Sequence, residues 1–214
     1  MRFVVGLVVS VCFATTALAA DPTQPHPHHG IMAPYVGAPP IPTLTADDLA
    51  TLASGKSVLK QTKNPDGSGR GVSIQDIHAE PEKIWSRITN YKMYPTWVEN
   101  VYACEAYKTD GSDIRARFLI GTSLIKYEYY VKHTYKPADH YMTWTLDYAR
   151  LSDLDDVVGF WRVEPLADKP GYTRVFYSVS VKLGGWTPEW VGDMLAKNGL
   201  TSATTWVKRE SERP

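Results

Sequence analysis

Apolar and aromatic side chains recur at every second position along much of the chain between residues 114 and 181. The main series are Ile114, Ala116, Phe118 and Ile120; Ile125, Tyr127, Tyr129, Val131, His133 and Tyr135; Met142, Trp144, Leu146 and Tyr148; and Val175, Tyr177, Val179 and Val181. Because successive side chains of a strand point to opposite faces, this alternation is typical of antiparallel strands with one buried face. It predicts a meander with a strongly aromatic inner face.

Helix signals lie on both sides of this meander. Glu80-Pro81-Glu82-Lys83 places a proline and acidic residues where a helix begins, and Ile84, Trp85 and Ile88 follow at helical spacing. Thr187-Pro188-Glu189 predicts the start of a long C-terminal helix that runs to about Arg209. Its apolar stripe is interrupted at Asn198-Gly199. The fold class is therefore α+β, with one long helix covering an antiparallel sheet.

The first 20 residues have the features of a secretory signal peptide. Arg2 supplies the positive charge, Phe3 to Ala14 forms an apolar run, and Ala17-Leu18-Ala19 is a small-x-small cleavage signal. The apolar run is shorter than the roughly 20 residues that cross a bilayer. We therefore expect residues 1–20 to be a signal peptide and the protein to be exported, either periplasmic or secreted.

Residues 21–43 are rich in proline and lack charge between Asp21 and Asp47. Prolines remove backbone donors, so we expect a disordered segment that is dispensable for the folding of a domain spanning residues 44–214. His26, His28 and His29 lie close together within it, which is compatible with low-affinity metal binding. Since no carboxylate or thiol of the segment completes a site, the sequence predicts no defined metal site.

The charge balance excludes some classes of function. The chain has 23 basic and 23 acidic residues, so it lacks the excess of cations from which nucleic-acid binders draw their affinity. Cys104 is the single cysteine after the signal peptide, and we expect it to be a buried small hydrophobe. Asp147, Asp153, Asp155 and Asp156 match no calcium-loop pattern, so we expect solvated loop acids.

Two stretches before the meander resemble a known family. Ala79-Glu80-Pro81-Glu82-Lys83-Ile84-Trp85 and Asn90-Tyr91-Lys92-Met93-Tyr94-Pro95-Thr96-Trp97 are similar to the opening of the polyketide cyclase/dehydrase and lipid-transport group of the START-like superfamily, which includes coenzyme-Q-binding relatives. Asn90 stands where that pattern more often has aspartate. The resemblance implies a helix-grip fold, in which a curved antiparallel sheet wraps around a long C-terminal helix over an apolar cavity.

Within such a fold the aromatic inner face predicts a site for an apolar ligand, because rings supply contact area and a few polar groups supply orientation. The candidate ligand-binding residues are Tyr127, Tyr129, His133, Trp144, Tyr148, Trp161, Tyr177, Met194 and Leu195. Taken singly, each of these aromatics is equally compatible with a filled core. Arg115 and Arg117 share a strand face and are compatible either with an anion clamp or with a solvated surface.

We interpret the protein as a binding and transfer protein for a lipid, isoprenoid or polyketide-like molecule. It is expected to be a monomer that needs no cofactor and binds no nucleic acid, and transient contact with a membrane is compatible with this role. The alternative is a cyclase or dehydratase that uses the same cavity, with His133 or a tyrosine as acid or base. A third alternative is an interaction module whose proline-rich segment binds a partner.

Overall fold

The computed structural model describes residues 19–63, 69–183 and 189–214; the side chains of residues 62, 63, 69, 189–199 and 201 are not described. The strands are β1 (Val58–Lys63), β2 (Gly69–Ile77), β3 (Val101–Asp110), β4 (Asp113–Gly121), β5 (Lys126–Lys136), β6 (Tyr141–Leu146), β7 (Leu154–Pro165) and β8 (Thr173–Leu183). The helices are α1 (Ala46–Ala53), α2 (Pro81–Ile88), α3 (Tyr94–Trp97) and α4 (Glu189–Glu212), with 3-10 turns at Tyr91–Met93 and Pro137–Asp139. Most of the predicted signal peptide lies outside the described residues.

The eight strands form one antiparallel sheet in the order β1-β2-β8-β7-β6-β5-β4-β3. Strands β3 to β8 are a meander in which each strand pairs with the next. The hairpin of β1 and β2 joins the meander at β8, where Ile74 lies opposite Phe176. The α+β prediction of a curved antiparallel sheet is confirmed.

Helix α4 packs across β2 and β8 and against α2. Val207 is fully buried, and the hydroxyls of Ser73 on β2 and Thr204 on α4 are 2.8 Å apart. Proline in the first turn of α2 has the position expected for a helix start. The long C-terminal helix therefore covers the sheet as the helix-grip prediction requires.

The two faces of the sheet have separate cores. The face toward α2, α3 and α4, which we call the inner face, carries the larger core. The opposite or outer face carries a smaller core beneath α1, formed by Leu52, Val58, Val72, Ile74, Phe160 and Phe176. The capping box of Thr45 and Asp48 holds the start of α1 above this outer core.

Residues 19–44 lie on the outer face, and we call them the N-terminal strap. Asp21 and Leu151 exchange backbone hydrogen bonds of 2.9 and 3.0 Å. The Tyr35 ring packs edge-on against Phe160, with 4.9 Å between the ring centroids. Two arginines of the sheet donate to strap carbonyls at 2.7 Å, Arg70 to Ala33 and Arg162 to Pro39. The prediction of a disordered segment is therefore wrong, because sheet side chains supply the partners that the prolines cannot supply to one another.

Two of the loop acids are buried and hydrogen-bonded, and one of them, Asp156, attaches the strap to the sheet. Asp156 is fully buried; one of its oxygens accepts the backbone N–H groups of Ile31 and Met32 at 2.7 Å, and the other accepts the Tyr148 hydroxyl at 2.8 Å. Asp147 is also buried and accepts hydrogen bonds from Arg115 and Tyr107. The expectation of solvated loop acids is wrong for these two residues, because each carboxylate is taken out of water by the partners that satisfy it.

Candidate functional site

A cavity of about 320 Å³ lies between the inner face of the sheet and helices α3 and α4. This volume is at the lower end of the range typical of small-molecule sites. Strands β4 to β8 each contribute side chains, and α4 contributes Ala203 and Trp206. Seven of the lining residues are Phe, Tyr or Trp, namely Tyr94, Phe118, Tyr129, Trp144, Trp161, Tyr177 and Trp206. Such a wall suits a flat or flexible apolar molecule.

A glycine shapes the cavity wall at its centre. Trp144 on β6 lies directly opposite Gly159 on β7, and a Cβ atom at Gly159 would collide with the Trp144 indole. Beside this pair, the rings of Trp161 and Tyr177 are 4.3 Å apart. Because Gly159 has no side chain, the Trp144 indole packs directly against the sheet backbone, and the space over the indole is left to the cavity.

His133 is a buried polar group in the wall. Its Nδ1 atom is 3.1 Å from the carbonyl oxygen of Ile114, the residue opposite it on β4. The Tyr91 hydroxyl is 3.4 Å from the same nitrogen. Burial lowers the pKa of His133 to about 4, so the imidazole is neutral near pH 7.

Tyr129 and Tyr177 are further polar groups in the wall. Burial raises the pKa of both hydroxyls far above the ordinary value for tyrosine, so both remain protonated. The Tyr94 hydroxyl, by contrast, donates to the Ile88 carbonyl at 2.7 Å. Tyr129 and Tyr177 can therefore donate hydrogen bonds to a bound molecule, whereas the Tyr94 proton already has a partner.

The cavity rim is formed where α3 leads into β3 and β4 ends. Asn100 has a positive φ of 65° and accepts the Gly121 backbone N–H at 3.0 Å. Gly121 itself has a φ of 146°, which favours glycine. Glu99 and Asn100 are polar groups of this rim. The turn that follows Gly121 leads to Leu124, which is 92% exposed, and Ile125. The rim is thus apolar on one side and polar on the other.

The structure brings five of the nine predicted site residues together. Tyr129, His133, Trp144, Trp161 and Tyr177 all line the cavity. Tyr127 does not line it and packs at the margin of the inner core. The side chains of Met194 and Leu195 are not among those described.

The placement of Tyr148 in the cavity is wrong. Strand β6 ends at Leu146, so the alternation that links Trp144 to Tyr148 stops before it reaches this residue. The Tyr148 hydroxyl instead donates to Asp156, and its ring lies among those of His26, His28 and His29 in the strap. Tyr148 therefore holds the strap rather than a ligand.

Sequence reasoning missed several cavity residues. Trp206 is buried and stacks against Trp97 on α3, yet its only sequence signal is the helical spacing from Ala203. Tyr94 contacts the Trp206 ring edge-on at 5.1 Å. Phe118 lies on the predicted face of its strand and stacks on Tyr129 at 5.3 Å. Pairing the alternating pattern of β4 with that of β5 would have placed Phe118 opposite Tyr129, and so in the predicted site.

Three other candidates lie outside the cavity or are unreactive. Arg115 pairs with Asp113 and Asp147, and Arg117 pairs with Glu128 and Glu105. The surface alternative is therefore the correct one for both arginines. Cys104 is buried as expected, and burial raises the pKa of its thiol, which disfavours the thiolate.

His26 and His28 approach Asp155 to form a three-residue cluster whose potential ligand atoms lie within 4.8 Å of one another. The backbone N–H groups of Ser152 and Gly30 donate to the Nδ1 atoms of His26 and His28, at 3.4 and 3.1 Å. Each Nε2 atom therefore carries the proton: that of His26 donates to the backbone carbonyl of Asp155 at 3.1 Å, and that of His28 donates to the Asp155 carboxylate at 3.3 Å. A metal would need both rings to give up this arrangement, so we interpret the cluster as a hydrogen-bonded attachment of the strap.

An aromatic cavity held between a curved sheet and its C-terminal helix defines a helix-grip protein with an internal small-molecule site. The chain belongs to the polyketide cyclase/dehydrase and lipid transport family, whose model matches residues 77–203, more than half of the sequence. The START-like resemblance read from residues 79–97 is confirmed. No curated protein matches the chain significantly.

Solved structures share the fold at low sequence identity. A START superfamily protein from Mycobacterium smegmatis is 18% identical with a TM-score of 0.54, covering 66% of this chain and 95% of its own. A STAR-related lipid transfer protein from Xanthomonas axonopodis is 14% identical with a TM-score of 0.56, over 72% and 99%. The Zhui aromatase/cyclase from a Streptomyces species is 12% identical with a TM-score of 0.55, over 73% and 95%. At these identities the likeness concerns the fold alone.

No helix among the described residues is long and apolar enough to cross a membrane.

Proposed function

We propose that this protein is an exported carrier that binds a hydrophobic small molecule in the inner cavity and transfers it. The observation that carries the proposal is the aromatic cavity with its few polar groups. Burial of apolar ligand surface contributes roughly 25 cal/mol per Å², and this gain drives binding against the costs of ordering the ligand and the cavity wall. The lipid, isoprenoid or polyketide-like class suits these walls, and the carrier acts as a monomer without a cofactor.

The electrostatics of the cavity support binding more than catalysis. A general base works best with a pKa near the working pH, whereas burial holds the pKa of His133 at about 4. Tyr129 and Tyr177 hold their protons too firmly to act as acids near pH 7. His133 nevertheless faces the same space that a substrate would occupy, and this keeps a cyclase or dehydratase as the second candidate.

We also propose that the apolar side of the cavity rim touches a membrane during transfer. Leu124 is 92% exposed and Ile125 is 43% exposed, and the turn that carries them follows directly after the lining residues Ile120 and Gly121. The Lys126 ammonium lies 4.1 Å from the Tyr102 ring centroid beside this turn. An apolar tip next to a cation suits the interface of an anionic membrane.

Export is proposed from the first 20 residues, and the strap supports it. Cleavage after Ala19 would make Ala20 the amino terminus, and the Ala20 nitrogen is 2.8 Å from a carboxylate oxygen of Asp153. The new ammonium group would then form an ion pair instead of an amide hydrogen bond. Intact-mass analysis of the exported protein tests this step, because retention of Met1 would contradict it.

Native mass spectrometry of the purified protein tests the carrier. We expect one small molecule bound to each monomer and released by organic solvent. Val179→Phe places bulk in the cavity and should weaken uptake of the neutral dye Nile red by about fivefold or more, since overpacking costs about 1–3 kcal/mol. The control is Ser180→Phe, one residue along the same strand on the outer face. Absence of both a bound molecule and dye uptake would overturn the carrier, and turnover of a polyketide lost in His133→Gln would favour the enzyme.

A further inference from the structure

The hydrogen-bonding roles of the two His133 nitrogens are set by the strand beside it. Nδ1 lies 3.1 Å from the Ile114 carbonyl oxygen, and a carbonyl oxygen can only accept. Nδ1 therefore carries the proton. In a neutral imidazole the other nitrogen, Nε2, must then have a free lone pair.

No described residue hydrogen-bonds to Nε2, although His133 is only 5% exposed and lies in the cavity wall. A wholly apolar ligand that fills the cavity would leave this acceptor without a donor, which is costly, whereas a ligand that supplies the donor removes that cost. The rings of Tyr91 and Trp144 lie near His133, with centroid distances of 5.5 and 5.8 Å, but neither residue donates a hydrogen bond to Nε2. The position is thus built to accept one hydrogen bond from inside the cavity.

The charges around the cavity restrict the ligand further. Its described lining contains no Lys or Arg, and its one carboxylate, Glu99, lies at the rim. Arg115 and Arg117 are held on the outer face by their carboxylate partners. A buried carboxylate or phosphate would therefore lose its hydration without gaining a cation, which is strongly unfavourable.

We propose that the ligand is an uncharged apolar molecule with a hydroxyl group at its buried end, and that this hydroxyl donates to Nε2 of His133. A hydroxyl fits better than another donor because its oxygen can also accept from Tyr129 or Tyr177, whose hydroxyls are not engaged by any described residue. This inference rests on the proposed carrier function and names its ligand class as alcohols or phenols. His133 acts here as a specificity-determining residue.

Three probes that share a naphthalene ring and differ in one substituent test the inference at pH 7: 1-naphthol, 1-methoxynaphthalene and 1-naphthoate. Calorimetry should show that 1-naphthol binds about three- to tenfold more tightly than the ether, the range expected for one hydrogen bond, and that 1-naphthoate binds most weakly. His133→Phe should bring the ratio of naphthol to ether close to one, whatever the change in shape does to the binding of the ether itself. His133→Gln, which keeps an acceptor oxygen, should retain part of the preference.

The outcomes separate this inference from the carrier itself. If the parent binds naphthol and ether equally, the inference is overturned and the carrier stands. If none of the three probes nor Nile red binds the parent, the carrier falls with it. A preference that persists undiminished in His133→Phe would assign the hydroxyl to a tyrosine instead. Thermal unfolding checks each variant, and should both variants fail to fold, the probe ratio of the parent decides.

Discussion

The two faces of this sheet satisfy their buried polar groups in opposite ways. On the outer face Asp156 is fully buried and accepts hydrogen bonds from Ile31, Met32 and Tyr148, so it is complete within the chain. On the inner face His133 is almost as buried, yet only its Nδ1 atom has a hydrogen-bond partner among the residues that the structure describes. The outer face is therefore organised for folding, whereas the inner face keeps hydrogen-bonding capacity for a ligand.

The largest effect should come from removing the cover of the outer face. Deleting residues 20–43 from a chain that begins at Ala20 uncovers Phe160, which is 1% exposed, and leaves Asp156 without two backbone donors. We expect a loss of about 5 kcal/mol, or roughly 10–20 °C in Tm, from apolar exposure and an unpaired buried carboxylate. Thermal unfolding of chains 20–214 and 44–214 measures it. Equal unfolding temperatures would mean that the strap contributes nothing and that the contrast between the faces is not one of stability.

A point variant sharpens the same test without shortening the chain. In Asp156→Asn one oxygen becomes an NH₂ group that faces donors, so we expect a loss of about 2 kcal/mol. Asp155→Asn is the matched control, because Asp155 is the neighbouring residue and only partly buried. Its cost should stay below about 1 kcal/mol. Similar losses in the two variants would contradict the special role of Asp156.

The contribution of the inner face to the free energy of unfolding should depend on pH, through His133. The pKa of His133 is about 4 in the folded protein and near 6.5 when unfolded, so the unfolded chain takes up the proton first as pH falls. Stability should therefore fall between pH 6.5 and 4, by up to about 3 kcal/mol from this residue, and level off below. Denaturant unfolding of the parent and of His133→Phe across this range isolates the contribution. Parallel curves for the two proteins would show that His133 does not titrate as its burial requires.

Burial also lowers the pKa of His26, which belongs to the strap, so His26 changes stability with pH in the same direction. This contribution persists in His133→Phe and serves as an internal reference for the outer face. The difference between the curves, rather than either curve alone, therefore reports the inner face.

The smallest effect on stability is expected at the cavity rim. Leu124→Ser removes a side chain that is 92% exposed, so unfolding should change by less than about 0.5 kcal/mol. Flotation with anionic vesicles should nevertheless fall several-fold. Leu59→Ser is the control, since Leu59 is 55% exposed on the edge strand β1, away from the cavity rim. Equal vesicle binding by the two variants would contradict the proposal that the turn after Gly121 contacts the membrane.

Local sequence was sufficient for most elements and for much of the cavity. The alternation through Tyr129 and His133, and that through Tyr177, placed these side chains on the inner face because a strand's period of two is a property of its backbone. The cap at Thr45 and the proline at the start of α2 likewise act within one turn of helix. For such features the determining contacts lie a few residues apart, so they are visible in a single sequence.

Only the tertiary structure decided where the strap lies, which residues Tyr148 contacts and how Trp206 closes the cavity. Ile31 and Asp156 are separated by 125 residues, and no local pattern connects a proline-rich segment to a carboxylate on a distant strand. Tyr148 follows the phase of its strand in sequence, but the hydrogen-bonded ladder ends at Leu146 and the phase ends with it. Periodicity determines which way a side chain points within an element. The pairing of the strands and the docking of α4 determine which partners it meets, because these depend on the free energy of burying both surfaces together.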